Sequence, residues 1–360
     1  MITIEKTYRT RSGYPLERLG NPDRILFFDI ETTGFSADHS VLYLIGCTWF
    51  RDGCWHLIQW FSDALSQESS VLSAFFSFLE GFDTLVHFNG DTFDLPYLKK
   101  RAGHLGLSWP ETGIRSVDIY KRIKPWKKYL GLNSLKQKSI ETFLGIQRED
   151  LYDGGQLIDV YRQYLKTGSE NLLNLLLLHN EDDLKGMPDL LPVLSYPDYF
   201  SQKFLLSGME KKAGDLPCIR LHFDGTGDCS IPVPLNASVP SYRLEASGSS
   251  MDLFIRLYEG KLKYFYPNYR DYYYLIYEDT AIHKSVGEYV DKGARVRATK
   301  ETCYTKKSGI FLPQPAAVWT PDFRNSCRDR SCFFEFCPEC FSDAEKTEQY
   351  RSLIVEAVFG

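Results

Sequence analysis

Asp29 and Glu31 stand two residues apart at the end of the apolar run RILFFDI, inside the stretch FFDIETTG. In a strand, side chains at i and i+2 point to one face, so the two carboxylates are neighbours. Like charges this close repel, and a hard divalent cation such as Mg²⁺ or Mn²⁺ relieves the repulsion. The plainer alternative is an acidic strand end, with Thr32, Thr33 and Gly34 making the turn. Asp94, in LVHFNGDTFDLPYLKKR, follows a strand and a turn and opens a helix, where it could also serve as a cap. His179 and Asp183, in HNEDDLKGM, are four apart and share one face of a helix. A His on a leucine-rich helix is usually packed or exposed, but an acid one turn on suits metal or proton chemistry. Asp182 is a possible substitute ligand, although it faces about 100° away from Asp183 on a regular helix.

These residues need elements to hold them. RILFFDI, VLYLIGCTWF and WHLIQWF read as three consecutive strands, followed by the helical spacing of SQESSVLSAFFSFLE. TLVHF is a short buried strand, and a Gly-Asp turn leads into the helix DLPYLKKRAGHL. Further helices run through YRQYLKTG and NLLNLLLLHNEDDLKGM. The order implies an α/β fold, a mixed sheet flanked by helices, over residues 20–200. After Pro197 the pattern changes: polar, Gly- and Pro-containing stretches such as GMEKKAGDLP separate short β-like runs. MDLFIRLY, KLKYFYP and YYYLIY predict a meander in a smaller β-rich domain over residues 215–360.

The 360 residues suffice for two domains, and 43% hydrophobic with 25% charged residues is the composition of a folded chain rather than a disordered one. The start MITIEKTYRT lacks the apolar core of a secretory signal, and no run of about 18 apolar residues occurs, so a cytoplasmic location away from membranes is expected. Nine cysteines in such a chain suggest reduced thiols or a metal site. Cys327, Cys332, Cys337 and Cys340 include a CPEC pair like that of a zinc knuckle, but CFFEFC reads as a strand that sends Cys332 and Cys337 to opposite faces. Packed thiols are the preferred reading over Zn²⁺. The net charge of −5 hides a basic strip: from Arg115 to Lys138 there are eight Lys or Arg and one acid, Asp118. In the tyrosine-rich KYFYPNYRDYYYLIY, cross-strand packing is preferred over a nucleic-acid face with Lys261, Lys263 and Arg270.

DIETTG, FNGDTFDLPYLKKR and HNEDD resemble the three exonuclease motifs of the DEDD superfamily. The middle motif is similar to that of proofreading domains in archaeal family B DNA polymerases. The block including GLNSLKQKSIETFLGIQRED, YRQYLKTG and HNEDDL more closely resembles YprB-like ribonuclease H-like domains of bacteria. The three-residue interval between His179 and Asp183 is that of the superfamily's tyrosine branch, and YprB-like domains also carry His at this spacing. The resemblance covers roughly residues 20–195. It implies a ribonuclease H-like fold and a two-metal 3′–5′ exonuclease using Mg²⁺ or Mn²⁺, with Asp29, Glu31, Asp94 and Asp183 as metal ligands and His179 as general base. It also makes Thr32 and Asn89 expected contacts to a single-stranded DNA or RNA substrate. Beside such a site the strip Lys124, Trp126, Lys127 and Lys128 would track phosphates and stack on a base. The rival expectation is a nucleic-acid-binding module of the same fold without turnover.

Overall fold

The computed structural model describes residues 1–10, 13–110, 113–146 and 154–360, in two units, Met1–Phe200 and Ser201–Gly360. Residues 147–150, which end the stretch GLNSLKQKSIETFLGIQRED, lie outside the described residues.

In the N-terminal unit the strands β1 (Ile2–Tyr8), β2 (Ile25–Thr32), β3 (Leu42–Arg51), β4 (Cys54–Phe61), β5 (Thr84–His87) and β6 (Arg115–Asp118) form one sheet in the order β1-β4-β3-β2-β5-β6. β1 through β4 pair antiparallel, while β2–β5 and β5–β6 are parallel. The sheet is therefore mixed, and the three strands read from the sequence are its β2, β3 and β4. Asp52 and Gly53 join β3 to β4 with positive φ at both positions (53° and 76°), the conformation of a two-residue hairpin turn that follows the strand twist. The helices are α1 (Glu68–Leu79), α2 (Asp94–His104), α3 (Ile119–Ile123), α4 (Gln137–Leu144), α5 (Gly154–Thr167), α6 (Glu170–Leu190) and α7 (Ser195–Ser201).

The alternation of β2 decides what lies on each face. Leu26, Phe28 and Ile30 pack with Val71, Leu72 and Phe75 of α1 and Leu98 of α2. Asp29 and Glu31 therefore face the other way, the side covered by α6. On that side a second core joins Tyr43 and Phe61 to Leu157 and Tyr161 of α5 and Leu176 of α6, with the Tyr43 and Tyr161 rings stacked at 4.2 Å.

The C-terminal unit carries β7 (Phe204–Lys212), β8 (Cys218–Gly225), β9 (Ile231–Val239), β10 (Tyr242–Gly248), β11 (Ser250–Arg256), β12 (Tyr258–Phe265), β13 (Tyr272–Leu275), β14 (Thr280–His283), the one-turn α8 (Lys284–Gly287), β15 (Arg295–Arg297), β16 (Tyr304–Gln314), β17 (Cys332–Glu335) and α9 (Ala344–Phe359). The expected meander is not formed. β11 lies in the sheet β7-β8-β11-β10-β9, β12 in β12-β16-β17 and β13 in β14-β13-β15. Alternating side chains specify a strand but not its neighbour, and here each run finds a partner from elsewhere in the chain. The polar stretch GMEKK likewise does not separate strands but belongs to β7, in which Glu210 and Lys211 are both exposed. The tyrosines pack: Tyr266 stacks on Tyr272 at 4.5 Å, and Tyr272 and Tyr274 join one cluster around Cys303.

Candidate active site

The buried face of α6 is apolar at Leu176 and Leu177 and again at Leu184 and Met187, but polar between them at His179 and Asn180. This interruption falls against the end of β2. His179 Nε2 lies 3.5 Å from Glu31 Oε1 and 3.5 Å from Asp183 Oδ2. Ligand atoms of these three residues all lie within 4.8 Å of one another, the spacing of a metal site, and Asp182 is not in the group. Glu31 and His179 are only 8% and 7% exposed, so little water reaches them.

Asp29 joins through its charge and a hydrogen bond. Burial raises its pKa well above the ordinary carboxylate range, and Asp183, Glu31 and Asp94 push it further, while a bond from Asn180 opposes the rise. The four acids are thus electrostatic neighbours. Burial also pushes up the Tyr43 phenol, whose hydroxyl is sequestered, and the charge of Glu31 adds to this. Hard carboxylate oxygens with one imidazole, held where their own charges are unfavourable, are a donor set that fits a divalent cation of the Mg²⁺ or Mn²⁺ class.

The support for Asp29 is a row across the sheet. Asp29 pairs with Gly46 on β3, and Gly46 pairs with Gln59 on β4. Asn180 sits over the glycine. Its Nδ2 donates to Asp29 Oδ2 at 2.9 Å, and its Oδ1 accepts from Gln59 Nε2 at 2.9 Å; Gln59 Nε2 also donates to the Leu177 carbonyl at 3.0 Å. A methyl group on Gly46 would fall inside the radii of Asn180 Oδ1 and Leu184 Cδ1. Gly46→Ala should therefore cost about 1 to 3 kcal/mol of stability and much of any activity, read by thermal melts and by assay. A wild-type melt would show that α6 has room to move.

Asp94, the first residue of α2, is 6% exposed, and burial with the nearby charge of Asp118 pushes its pKa up to about 7. Asp118 is a clamp: Oδ1 accepts from the Asn89 and Lys121 amides at 3.0 and 3.1 Å, and Oδ2 from the Asp91 amide at 3.2 Å. It ties the loop before Asp94 to the start of α3. His87, Asp91 and Asp118 form a second group with metal-like spacing. Its acceptors are engaged, however, because His87 Nδ1 takes the Gly90 amide at 3.0 Å and Asp91 takes Lys121 Nζ at 3.1 Å.

The raised Asp94 contributes to the pH dependence of the metal-free fold, beside the raised Asp29. A carboxyl whose folded pKa exceeds its unfolded value stabilises the fold at low pH, and this contribution is lost as pH rises through the folded value. From 3.8 to about 7 the displacement corresponds to at most on the order of 4 kcal/mol. Metal-free wild type should lose stability relative to Asp94→Asn between about pH 4 and pH 8, and Mn²⁺ should remove the difference. Parallel melting curves over that range would refute the raised pKa.

Comparison with known proteins finds a family match over the same region. A family model of the RNase_H superfamily matches residues 26–195. Residues 26–195 form a domain of the RNase_H superfamily. The RNase H domain thus holds β2 from Leu26 onward, β3 through β6 and α1 through α6, with Asp29, Glu31, Asp94, Asp118 and Asp183. A search of curated proteins found no match. Among solved structures, the chain is similar to the family B DNA polymerase from the hyperthermophilic archaeon Pyrobaculum calidifontis, at 14% identity over 68% of this chain and 34% of that one, with a TM-score of 0.41. It is also similar to exonuclease I, at 10% identity over 57% of this chain and 55% of that one, with a TM-score of 0.33. The chain spans about a third of the polymerase's length and about half of exonuclease I's.

The basic strip of the RNase H domain divides. Lys124 and Lys127 line a cavity of about 590 Å³ together with Asn89, Tyr120, Lys136 and Gln137. Gln137 Nε2 donates to the Asp183 carbonyl at 3.2 Å, which puts the cavity beside the acids. Lys128 is not part of its lining. Trp126 is half-buried and stacked on Phe200, centroids 5.4 Å apart and 13° from parallel, so one face of its ring is used in packing. Thr32 donates to the Gly34 carbonyl at 2.9 Å and shapes the turn after Glu31. Phe35, which sequence reasoning passed over, is 91% exposed in that turn and meets the Phe93 ring edge-on at 5.9 Å. Among the described residues no helix is long and apolar enough to cross a membrane.

The four-cysteine zinc set is not assembled. Cys332 is buried on β17 with its sulfur 3.8 Å from the Gln314 carbonyl, and among the described residues no three-ligand group includes a cysteine.

Proposed function

We propose that the RNase H domain is a metal-dependent DEDD-type nuclease that hydrolyses phosphodiester bonds at single-stranded nucleic-acid ends in the 3′–5′ direction. The observation that carries this reading is the convergence of Glu31, His179 and Asp183 with the charge-crowded Asp29. Asp29, Glu31, Asp94 and Asp183 would hold two Mg²⁺ or Mn²⁺ ions, which when bound supply Lewis acidity at the scissile phosphate and its leaving oxygen. His179 Nε2 accepts the proton of the attacking water. The charge it then carries sits 3.5 Å from carboxylate oxygens of Glu31 and Asp183. Asn180 fixes the orientation of Asp29, and Gln137 fixes the backbone at Asp183. Lys124, Lys127 and Lys136 offer cations to the strand's phosphates, and exposed Phe35 offers a ring face to a terminal base. Incubation of the protein with 5′-labelled DNA and RNA oligonucleotides, with Mg²⁺, Mn²⁺ or EDTA, tests the reading. A ladder shortening from the 3′ end only with metal supports it; binding without cleavage would establish the silent module instead.

The groove makes a separate prediction. Replacing Lys124, Lys127 and Lys136 with Gln removes three phosphate contacts, and the log-log salt slope should shallow by about 2, at roughly 0.7 per contact. KM should rise with kcat little changed, because these groups hold ground state and transition state alike. Lys128→Gln, outside the cavity, should do neither. Unchanged KM and salt dependence in the triple variant would move the substrate to another face.

A further inference from the structure

We propose that Cys337 and Cys340 are a thiol–disulfide modification site, a dithiol that closes to an intramolecular disulfide on reaction with a small-molecule disulfide. The two sulfurs lie 2.6 Å apart, and both residues are half-buried, so a small oxidant can reach them. The turn that brings them together is already built: the Cys340 amide donates to the Cys337 carbonyl at 3.1 Å, and Pro338 stiffens the first step after Cys337. A metal clip would need further ligands. No His, Asp, Glu or third Cys among the described residues completes a group around this pair, and Cys332 is turned into the core. Two sulfurs without other ligands favour dithiol chemistry over zinc binding.

The Cys337 thiolate attacks one sulfur of the small disulfide and expels the other half as a thiolate, leaving a mixed disulfide on Cys337. Cys340 then loses its proton and displaces the second half, forming the Cys337–Cys340 bond. The protons given up by the two cysteines end on the two released thiols. The protein loses two electrons, which the small disulfide gains. Burial, and next the neighbouring Cys337 thiol, push Cys340 up to about 11, which disfavours it as the first attacker; in the second step the mixed disulfide is held beside it, and proximity rather than acidity drives closure. The bond would brace the turn Pro338–Ser342, which carries Phe341, whose ring packs on Trp319 at 5.3 Å and on Tyr350 of α9 at 6.2 Å.

Peptide mapping tests this on the full chain. Reduced protein is freed of reductant, treated with excess glutathione disulfide, quenched in acid, alkylated under denaturing conditions and digested with trypsin. Peptide 331–346 contains Cys332, Cys337 and Cys340. The expected product lacks two hydrogens, carries an alkyl group only on Cys332, and gains alkylation at all three after reduction. Cys337→Ser should leave no closed form, with Cys340 free or glutathionylated. Three alkylated cysteines after oxidation, a bond that fragmentation maps to Cys332, or stoichiometric zinc that must be chelated before the pair reacts would each overturn the proposal. The wild-type measurement decides even if the variant fails to fold.

Discussion

Asp183→Asn and Asp29→Asn should each reduce hydrolysis by about 10³-fold or more, on the order of 4 kcal/mol of transition-state stabilisation, with the fold intact. Asparagine keeps the shape of aspartate but not the charge that a hard cation requires. The loss should fall on kcat and on the metal titration together, and excess Mn²⁺ should recover little. Metal-free stability should move the other way. The charge of Asp183 is the largest neighbouring contribution, after burial, to the raised pKa of Asp29, so in metal-free protein its removal relieves repulsion among the acids. A modest rise in metal-free Tm with loss of turnover separates removal of a metal ligand from general damage, which would lower both. Turnover near wild type in both variants would end the metal-site assignment.

The acids were legible because their types and spacing are unusual in their local settings. A strand that ends in Asp-x-Glu, and a leucine-rich helix broken by His and Asp four apart, each depart from ordinary packing, and the structure brings these departures together. What holds them was not legible. Asn180 lies between His179 and Glu181 in the sequence and looks like one more polar residue, and its role depends on Gly46 lying between Asp29 and Gln59 in the sheet, which is long-range register. Asp118 looked like the lone acid of a basic strip, yet it ends β6 and clamps the loop that carries Asp94. β1 was missed because only one side of it alternates as apolar, with Ile2 and Ile4 as its packing residues, and polar side chains fill the rest. α9 was missed for a related reason: its buried Tyr350, Ile354 and Val355 are sparse, although Asp343 accepting the Lys346 amide was a readable helix start. In the C-terminal unit strand patterns were clear but pairing was not, because alternation carries no partner information.

His179→Ala should slow turnover by roughly 10² to 10⁴-fold if Nε2 takes the proton from water. The fall should be in kcat rather than KM, because a proton transfer is lost while substrate binding is not. The geometry makes a second role a serious competitor. Nε2 is 3.5 Å from oxygens of both Glu31 and Asp183, close enough for the imidazole to share a cation with them. The two roles differ in what the variant loses. A lost base leaves metal affinity nearly unchanged, and added imidazole can occupy the space vacated by the ring and restore part of the rate with a dependence on free-base concentration. A lost ligand shifts the Mn²⁺ titration to higher concentration, and saturating metal restores the rate with the pH profile intact. His179→Gln refines the test, because it keeps a polar side chain against the two carboxylates while removing a nitrogen that can accept a proton at neutral pH. If the Ala and Gln variants are equally slow, bind metal as the wild type does and respond to imidazole only when the side chain is truncated, His179 is the base. A rate near wild type in both would leave the acids to act without it.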